Sequence, residues 1–247
     1  FFYTHTPPPP ILSGLVGSEM CIRDSEYAIA YKPNIAFFEA YGANGFKSLD
    51  KIANYINQSY PEIFTIADAK RGDIGNTSKM YANAFLEELN FDSITVSPYM
   101  GSDSVEPFLS NEDKLVFLLT LTSNIGSNDF QELNLDDNKK LYQKVIETSK
   151  TWKNSSRIMY VVGAKNTKEI SKIRDMVPDS YILIPGVGAQ GGNMAEICKQ
   201  GLDKNLKLII NSSRSIIYAS LNDDFAECAA KEAKKIRDEM ENYINAL

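Results

Sequence analysis

Histidine is almost absent from this chain, since His5 is the only one among 247 residues. Neutral imidazole is a very common general base and a frequent zinc ligand. Its scarcity argues against a Ser-His-Asp relay and against the usual zinc sites. We therefore expect any acid–base chemistry to depend on lysine, on carboxylates and on backbone dipoles.

Cysteine is scarce as well. Cys21, Cys198 and Cys228 are odd in number and widely spaced, which fits neither a disulfide framework nor a metal-ligand motif. A reducing, cytoplasmic location is the expectation. No apolar run approaches the ~20 residues that span a bilayer, so we expect no membrane association. The net charge of −6 argues against nucleic acid as a partner, although one local group of donors is enough for a small phosphorylated ligand.

The first 25 residues differ from the rest of the chain. They contain four consecutive prolines, 7–10, which fit neither a helix nor a central strand. They also lack the basic start and long apolar core of a signal peptide. We interpret 1–25 as a non-native or disordered leader and 26–247 as one domain.

After the leader, short β-rich runs alternate with helical patterns. Leu49, Ile52, Ala53 and Ile56 form one apolar helical stripe, and a final helix is predicted at about 223–246. The strand candidates are largely apolar, which is typical of a parallel sheet covered by helices. They are 28–34, 63–70, 93–99, 115–123, 157–163, 181–186 and 206–211.

Repeated βα units predict a single α/β domain, and ~250 residues is the usual length of a (β/α)8 TIM barrel. Seven strands are one fewer than a closed barrel needs, and the leader stands where the first strand belongs. We therefore predict a TIM barrel whose first strand is missing or replaced. The competing architecture is a doubly wound open sheet, which is disfavoured because no strand is followed by G-x-G-x-x-G.

Charged residues are concentrated at the end of the second predicted strand. Because side chains alternate along a strand, Asp68 and Lys70 share one face, which can be the barrel interior, and Asp73 follows in the βα loop. Lys32 ends the preceding predicted strand, and facing Asp68 it would extend an alternating array that favours the charged forms. These four residues are the candidate catalytic group. A structural ion pair at the barrel rim, with Lys32 as a solvated strand end, is the alternative.

A glycine-rich segment at 185–192, which includes Pro185 and Gly188, follows the sixth predicted strand. Glycines allow close backbone approach to an anion, and N–H groups at a helix start can hold phosphate. Arg214 follows the next strand and suits bidentate phosphate binding. Many TIM barrels bind phosphate at these two loops, so we predict a phosphate site there, with a purely structural loop as the alternative.

Ser123 and Asn124 follow the fourth predicted strand. They can hydrogen-bond a base or sugar at the barrel mouth, and they are equally suited to be turn or cap residues. Glu39 and Tyr41 are interpreted as helix or packing residues rather than catalytic ones.

These motifs together resemble the orotidine 5′-phosphate decarboxylase family, in particular the type-two bacterial subfamily with Asp-Ala-Lys-Arg-Gly-Asp-Ile-Gly-Asn-Thr. That sequence stands at 68–77 of this chain. The resemblance extends from about residue 27 to the C-terminus. Four further segments match in order: 30–34, 96–101, 185–192 and 211–219.

The resemblance implies a cytoplasmic dimer of TIM barrels that converts orotidine monophosphate to UMP and CO2 in pyrimidine biosynthesis, without a metal or an organic cofactor. It implies that Lys32, Asp68 and Lys70 form the charge array, with Lys70 as the proton donor. Asp73 and Thr77 are expected to reach into the site of the neighbouring subunit.

The resemblance also assigns the substrate contacts. Ser123 is expected to meet the pyrimidine and Pro185 to lie near the ring, while Gln190 and Arg214 hold the phosphate. One departure is that the leader does not match the family's first strand, whose aspartate contacts the ribose; Asp24 is a poor candidate for that role.

Two alternatives remain. One is a Mg²⁺-dependent sugar-phosphate aldolase or decarboxylase of the same barrel superfamily, which carries an acidic residue where this chain has Lys32. The other is an inactive fragment with two unpaired sheet edges.

Overall fold

The computed structural model describes residues 26–187 and 192–247, so the predicted leader lies outside the described residues. Seven parallel strands form one sheet in chain order. This sequential order lacks the reversal of a doubly wound sheet, so that alternative is wrong. The strands are β1 (Ala30–Tyr31), β2 (Phe64–Arg71), β3 (Ser93–Val96), β4 (Leu115–Leu121), β5 (Ile158–Val162), β6 (Ile182–Pro185) and β7 (Leu208–Asn211).

Helices connect successive strands, as parallel pairing requires. The predicted apolar stripe is confirmed on the helix Gly42–Ser59, with Leu49, Ala53 and Ile56 buried. A π-helical turn, Asn83–Glu88, directly continues the helix Gly75–Ala82, and two short 3-10 segments lie at Glu106–Leu109 and Ser155–Arg157. The α-helices are α1 (Ile35–Glu39), α2 (Gly42–Ser59), α3 (Gly75–Ala82), α4 (Ser102–Val105), α5 (Ser127–Phe130), α6 (Leu141–Ser149), α7 (Thr167–Met176), α8 (Met194–Gly201), α9 (Arg214–Ile217) and α10 (Phe225–Ile244).

The sheet separates two apolar layers. Among the described residues, the inner layer contains strand residues alone, and Ile66, Phe117 and Leu183 are three of them. The outer layer lies between strands and helices, and it includes Ala67 of β2. Alternation along β2 therefore directs Phe64, Ile66 and Asp68 to the interior.

All seven predicted strands are present, but several are shorter than their apolar runs. Pro33 has no N–H to donate to a neighbouring strand, and the next residue, Asn34, caps α1 by accepting a hydrogen bond from the amide of Ala36 at 3.2 Å. β1 is therefore limited to two residues. At the start of β7, Leu206 adopts a positive φ of 54° and delays the strand to Leu208.

The first and last strands of the sheet frame an apolar cavity. Among the described residues, β1 pairs only with β2 and β7 only with β6. The cavity between them has a volume of about 520 Å³ and is bordered by Tyr31, by Ile209 and by Ala233 and Met240 of α10. This opening lies where a closed barrel would hold another strand, as the count of seven predicted.

No helix in the described ranges is both long enough and apolar enough to cross a membrane.

Candidate active site

Lys32 and Asp68 meet on the inner side of the sheet. The amide of Asp68 donates to the carbonyl of Pro33 at 3.0 Å, which keeps the chain beyond β1 alongside β2. The Nζ of Lys32 consequently lies 2.5 Å from Oδ2 of Asp68, with the side chains 9% and 8% exposed. This pair is buried and hydrogen-bonded, as a buried ion pair must be.

Lys70 completes the array from the solvent side. Its ammonium contacts the second carboxylate oxygen of Asp68, Oδ1, and its side chain is 50% exposed. The array therefore extends from the interior to the open mouth of the sheet. The predicted charge array of these two residues with Lys32 is present in the structure.

Burial and charge act in opposite directions on the pKa values of the buried pair. Desolvation raises the pKa of Asp68, but the charges and hydrogen bonds of Lys32 and Lys70 outweigh it and lower the pKa to about 2. Burial also lowers the pKa of Lys32 from its usual value, against the opposing attraction of Asp68. Asp68 is therefore an anion throughout the physiological range.

The backbone of Lys70 is unusual. Its φ is 48°, in the left-handed region, which costs a non-glycine residue about 1–2 kcal/mol. The register of β2 against β3 shifts between Ala67 and Arg71. This irregularity is not visible in the hydrophobic pattern, because alternation alone predicts a regular strand through Lys70.

Thr95 is a site residue that the sequence reasoning missed. Its Oγ1 accepts from the amide of Lys70 at 2.8 Å and donates to Oδ1 of Asp68 at 3.2 Å. The hydroxyl thus connects the Lys70 backbone to the carboxylate. One signal was available: Thr95 is the polar residue between apolar Ile94 and Val96 in a fully buried strand.

Asp73 and Thr77 follow β2 at the same end of the sheet. Asp73 is half-buried and accepts from the amide of Ile74 at 2.7 Å, while Thr77 is exposed in the first turn of α3. Within the described part of the chain, neither side chain hydrogen-bonds to the array.

Ser123 occupies a space that a glycine keeps open. It follows β4 and is half-buried. A Cβ added to Gly163, just after β5, would lie 2.0 Å from Oγ and 2.6 Å from the amide nitrogen of Ser123. The absence of a Cβ at Gly163 therefore leaves the room that the Ser123 side chain occupies.

The predicted phosphate end is described in part. Pro185 is the last residue of β6 and pairs in register with Asn211, the last residue of β7. Arg214 is the exposed first residue of α9. Because all strands are parallel, Arg214 and Lys70 lie at the same, carboxyl-terminal end of the sheet. Gly188 and Gln190 lie outside the described residues.

Within residues 26–187 and 192–247, no three His, Cys, Asp or Glu side chains are grouped so that they could hold a metal ion. Both oxygens of Asp68 accept hydrogen bonds from lysines. Two ammonium groups around this carboxylate oppose the binding of a cation there.

The sequence matches the model of the orotidine 5′-phosphate decarboxylase / HUMPS family over residues 18–229. The chain belongs to this family. The match includes the last eight residues of the predicted leader, and the leader interpretation stays a prediction.

Named decarboxylases of this family are close relatives of the chain. It is 59% identical over 221 residues to orotidine 5′-phosphate decarboxylase of Flavobacterium johnsoniae, covering 90% of this chain and 81% of the relative. The solved orotidine monophosphate (OMP) decarboxylase of Leishmania donovani superposes with a TM-score of 0.84 at 34% identity, covering 95% of this chain and 88% of that one. The L. donovani UMP synthase gives 0.86 at 36% identity, covering 94% of this chain and half (50%) of that protein. These likenesses confirm the predicted α/β barrel fold.

Proposed function

We propose that this chain decarboxylates orotidine 5′-monophosphate to UMP and CO2, with Lys70 as the proton donor. The observation that carries the proposal is the placement of Asp68 between Lys32 and Lys70 at the mouth of the barrel. Membership of the decarboxylase family and the identity to named decarboxylases support the choice of substrate.

In the proposed reaction, the bond between the pyrimidine ring and its carboxylate breaks and CO2 leaves. The electron pair stays on the ring carbon. The ammonium of Lys70 stabilises this developing charge because it is already held in place, and it then transfers a proton to the carbon. The resulting neutral amine regains its proton from water through its half-exposed side chain.

Asp68 and Lys32 position the proton donor. Oδ1 of Asp68 binds the Lys70 ammonium, and Lys32 holds Oδ2, so the carboxylate has little freedom to turn away. The negative charge of Asp68 would also lie near the departing carboxylate of the substrate, which would disfavour the bound ground state.

The substrate would lie across the mouth, with its ring near Ser123 and Pro185 and its phosphate at Arg214. The guanidinium suits a phosphate because it offers paired N–H donors. Gln190 and the loop around Gly188 belong to the same proposed phosphate site. Binding energy gained at the phosphate can serve to organise the site around the reacting carbon.

We also propose that the active form is a homodimer in which Asp73 and Thr77 contribute to the partner's site. In support, large exposed apolar side chains occur in the segments that follow β2, β3 and β4, and one of them directly follows Asp73 in sequence. They are Ile74 (51% exposed), Tyr99 (81%), Met100 (48%) and Phe130 (57%), and the rings of Tyr99 and Phe130 lie 6.2 Å apart. Adjacent apolar side chains of this size are typical of an interaction surface.

The decisive experiment measures CO2 release from carboxyl-labelled orotidine monophosphate. The chain should turn over this substrate, Lys70→Ala should lose turnover, and Lys70→Ala should still bind UMP because phosphate contacts remain. Lys172→Ala, which removes an exposed lysine of α7, is the matched control and should retain full activity. Near-normal turnover by Lys70→Ala would refute the proposal.

Loss of activity on EDTA treatment, restored by Mg²⁺, would favour the metal-dependent alternative instead.

Subunit mixing tests the shared site. Lys70→Ala and Asp73→Ala should each be nearly inactive alone. In a hybrid dimer, one site receives Lys70 and Asp73 from different subunits and is intact, so an equal mixture should regain about a quarter of wild-type activity. No recovery in a mixture shown to contain hybrids would contradict the shared site.

A cytoplasmic location belongs to the same proposal. The two described cysteines, Cys198 and Cys228, are both free thiols, which is consistent with a reducing compartment.

A further inference from the structure

The left-handed backbone conformation of Lys70 must be stabilised by contacts with neighbouring residues. A residue in such a conformation persists only where its surroundings fix it. On the inner side, Thr95 binds the amide of Lys70 at 2.8 Å. The residue after Lys70 is also held, because the amide of Ser97 donates to the carbonyl of Arg71 at 2.7 Å. These bonds fix the peptide group before Lys70 and the one after Arg71.

Arg71 provides a further constraint on the opposite side of the sheet. Its Nη1 donates to the carbonyl of Ala69 at 3.1 Å, so the guanidinium spans the residue that carries the strain. A side chain that returns to the backbone two residues earlier closes a short ring around Lys70. Opening that ring would allow the Ala69–Arg71 segment to return to a regular strand.

The guanidinium of Arg71 is itself held on several sides. Nη2 pairs with Glu39 at the end of α1. Its Cζ lies 5.1 Å from the ring centroid of Tyr81 and 5.2 Å from that of Phe85, within the range of cation–π attraction. The side chain is 19% exposed, and its Nε is buried with no hydrogen-bond partner among the described residues.

Burying the Arg71 guanidinium costs more free energy than burying an apolar side chain at the same position would. An apolar side chain would fill the space between two aromatic rings without burying an unpaired N–H, which is an unfavourable feature. The planar guanidinium has one property that an apolar group lacks: it can bind Glu39 and the Ala69 carbonyl at once in a fixed geometry.

We propose that Arg71, anchored by Glu39, Tyr81 and Phe85, is a positioning residue that maintains the left-handed conformation of Lys70 and so directs its ammonium at Asp68. It touches neither substrate nor the reacting atoms and acts through the backbone. The catalytic consequence rests on the proposed function, whereas the structural consequence does not.

Arg71→Lys and Arg71→Met test this inference. Both should fold, and both should lower kcat by about 100-fold, since a small misplacement of a catalytic group can cost that much. The KM and the affinity for UMP should change little, because the phosphate site is at the far strands. Arg71→Lys should not rescue, because an ammonium lacks the paired donors. The control is Arg157→Met, which removes a half-buried arginine that binds the carbonyls of Leu109 and Asn111 and should leave kcat unchanged.

Amide hydrogen exchange gives a readout that is independent of activity. In Arg71→Met the amide of Lys70 should exchange about tenfold faster, while the amides of β4 keep their wild-type protection. Exchange at Lys70 unchanged from wild type would overturn the proposal even if the chain had no activity at all. Accelerated exchange in a chain without decarboxylase activity would uphold the positioning role and refute only the proposed function.

Chemical rescue distinguishes positioning from general loss of stability. Arg71→Ala empties the space against the rings of Tyr81 and Phe85 that the guanidinium occupies, beside Glu39. Guanidinium at low, non-denaturing concentration should raise the kcat of Arg71→Ala in a saturable way, and methylammonium should not. Equal effects of the two ions, or no effect of either on a folded Arg71→Ala protein, would count against the proposal.

Discussion

The ammonium of Lys32 lies 2.5 Å from Oδ2 of Asp68, and the two side chains are only 9% and 8% exposed. Each charge is sheltered from water and depends on the other for compensation. The same carboxylate holds the exposed ammonium of Lys70 through its other oxygen. Asp68 is consequently both the stabilising partner of a buried cation and the support of the proposed proton donor.

Removal of Lys32 should destabilise the fold as well as the site. Lys32→Met leaves the buried Asp68 with one partner, and loss of one member of a buried pair costs about 3 kcal/mol or more. The free energy of unfolding in urea should fall accordingly. The double variant Lys32→Met/Asp68→Leu should recover much of that loss while remaining inactive. A double variant as unstable as the sum of the two single variants would contradict this account.

Acid should weaken the fold through Asp68. Its pKa of about 2 in the folded state is below the ordinary value of 3.8. The unfolded chain therefore takes up the proton first as the pH falls. The stabilising contribution is complete above the ordinary value and is lost as the pH falls through the folded value, for a total of roughly 2 kcal/mol. Urea unfolding between neutral pH and the acid range should show wild type losing stability relative to Asp68→Asn. Parallel curves for the two proteins would disprove the coupling.

Thr95→Val should damage catalysis more than binding. Valine keeps the shape but removes the hydroxyl that links the Lys70 amide to Asp68. Loss of these two hydrogen bonds is expected to lower kcat about tenfold and to leave KM nearly unchanged. Thr120→Val is a suitable control, since Thr120 donates to the carbonyl of Val161 in the neighbouring strand. A rise in KM at constant kcat would assign Thr95 to substrate binding.

Arg214→Met should act only on substrates that carry the phosphate. If the guanidinium binds that group, kcat/KM for orotidine monophosphate should fall by about 100-fold, corresponding to about 3 kcal/mol for a charged hydrogen-bonded contact. The much slower reaction of the nucleoside orotidine should be unaffected. An equal loss for the nucleotide and the nucleoside would place the role of Arg214 elsewhere.

The general layout of the fold was predictable because its signals are local. Apolar runs located all seven strands, and alternation within β2 placed Asp68 on the inner face. Lys32 could be added because β1 and β2 are neighbours in a sheet of sequential parallel strands. Strand ends were less predictable, since the proline after Lys32 and the helix cap beyond it shortened β1.

The supporting contacts were not predictable, because they join residues that are distant in sequence. Thr95 is 27 residues from Asp68, and Arg71 is 32 from Glu39. The positive φ of Lys70 depends on such contacts and leaves no trace in the hydrophobic pattern. Glu39 was assigned to a helix and does end α1, but its pairing with Arg71 became evident only in three dimensions.

Lys70 and Arg71 are consecutive cations whose side chains lie on opposite surfaces of the same sheet. The Lys70 side chain is exposed to solvent at the barrel mouth, whereas the Arg71 guanidinium packs against the ring of Tyr81. A change of register that brought Arg71 to the inner surface in place of Lys70 would present a guanidinium there. A guanidinium does not give up its proton at any physiological pH, whereas the inner site requires a transferable proton. The register of this one strand thus selects which of two adjacent cations can act as an acid.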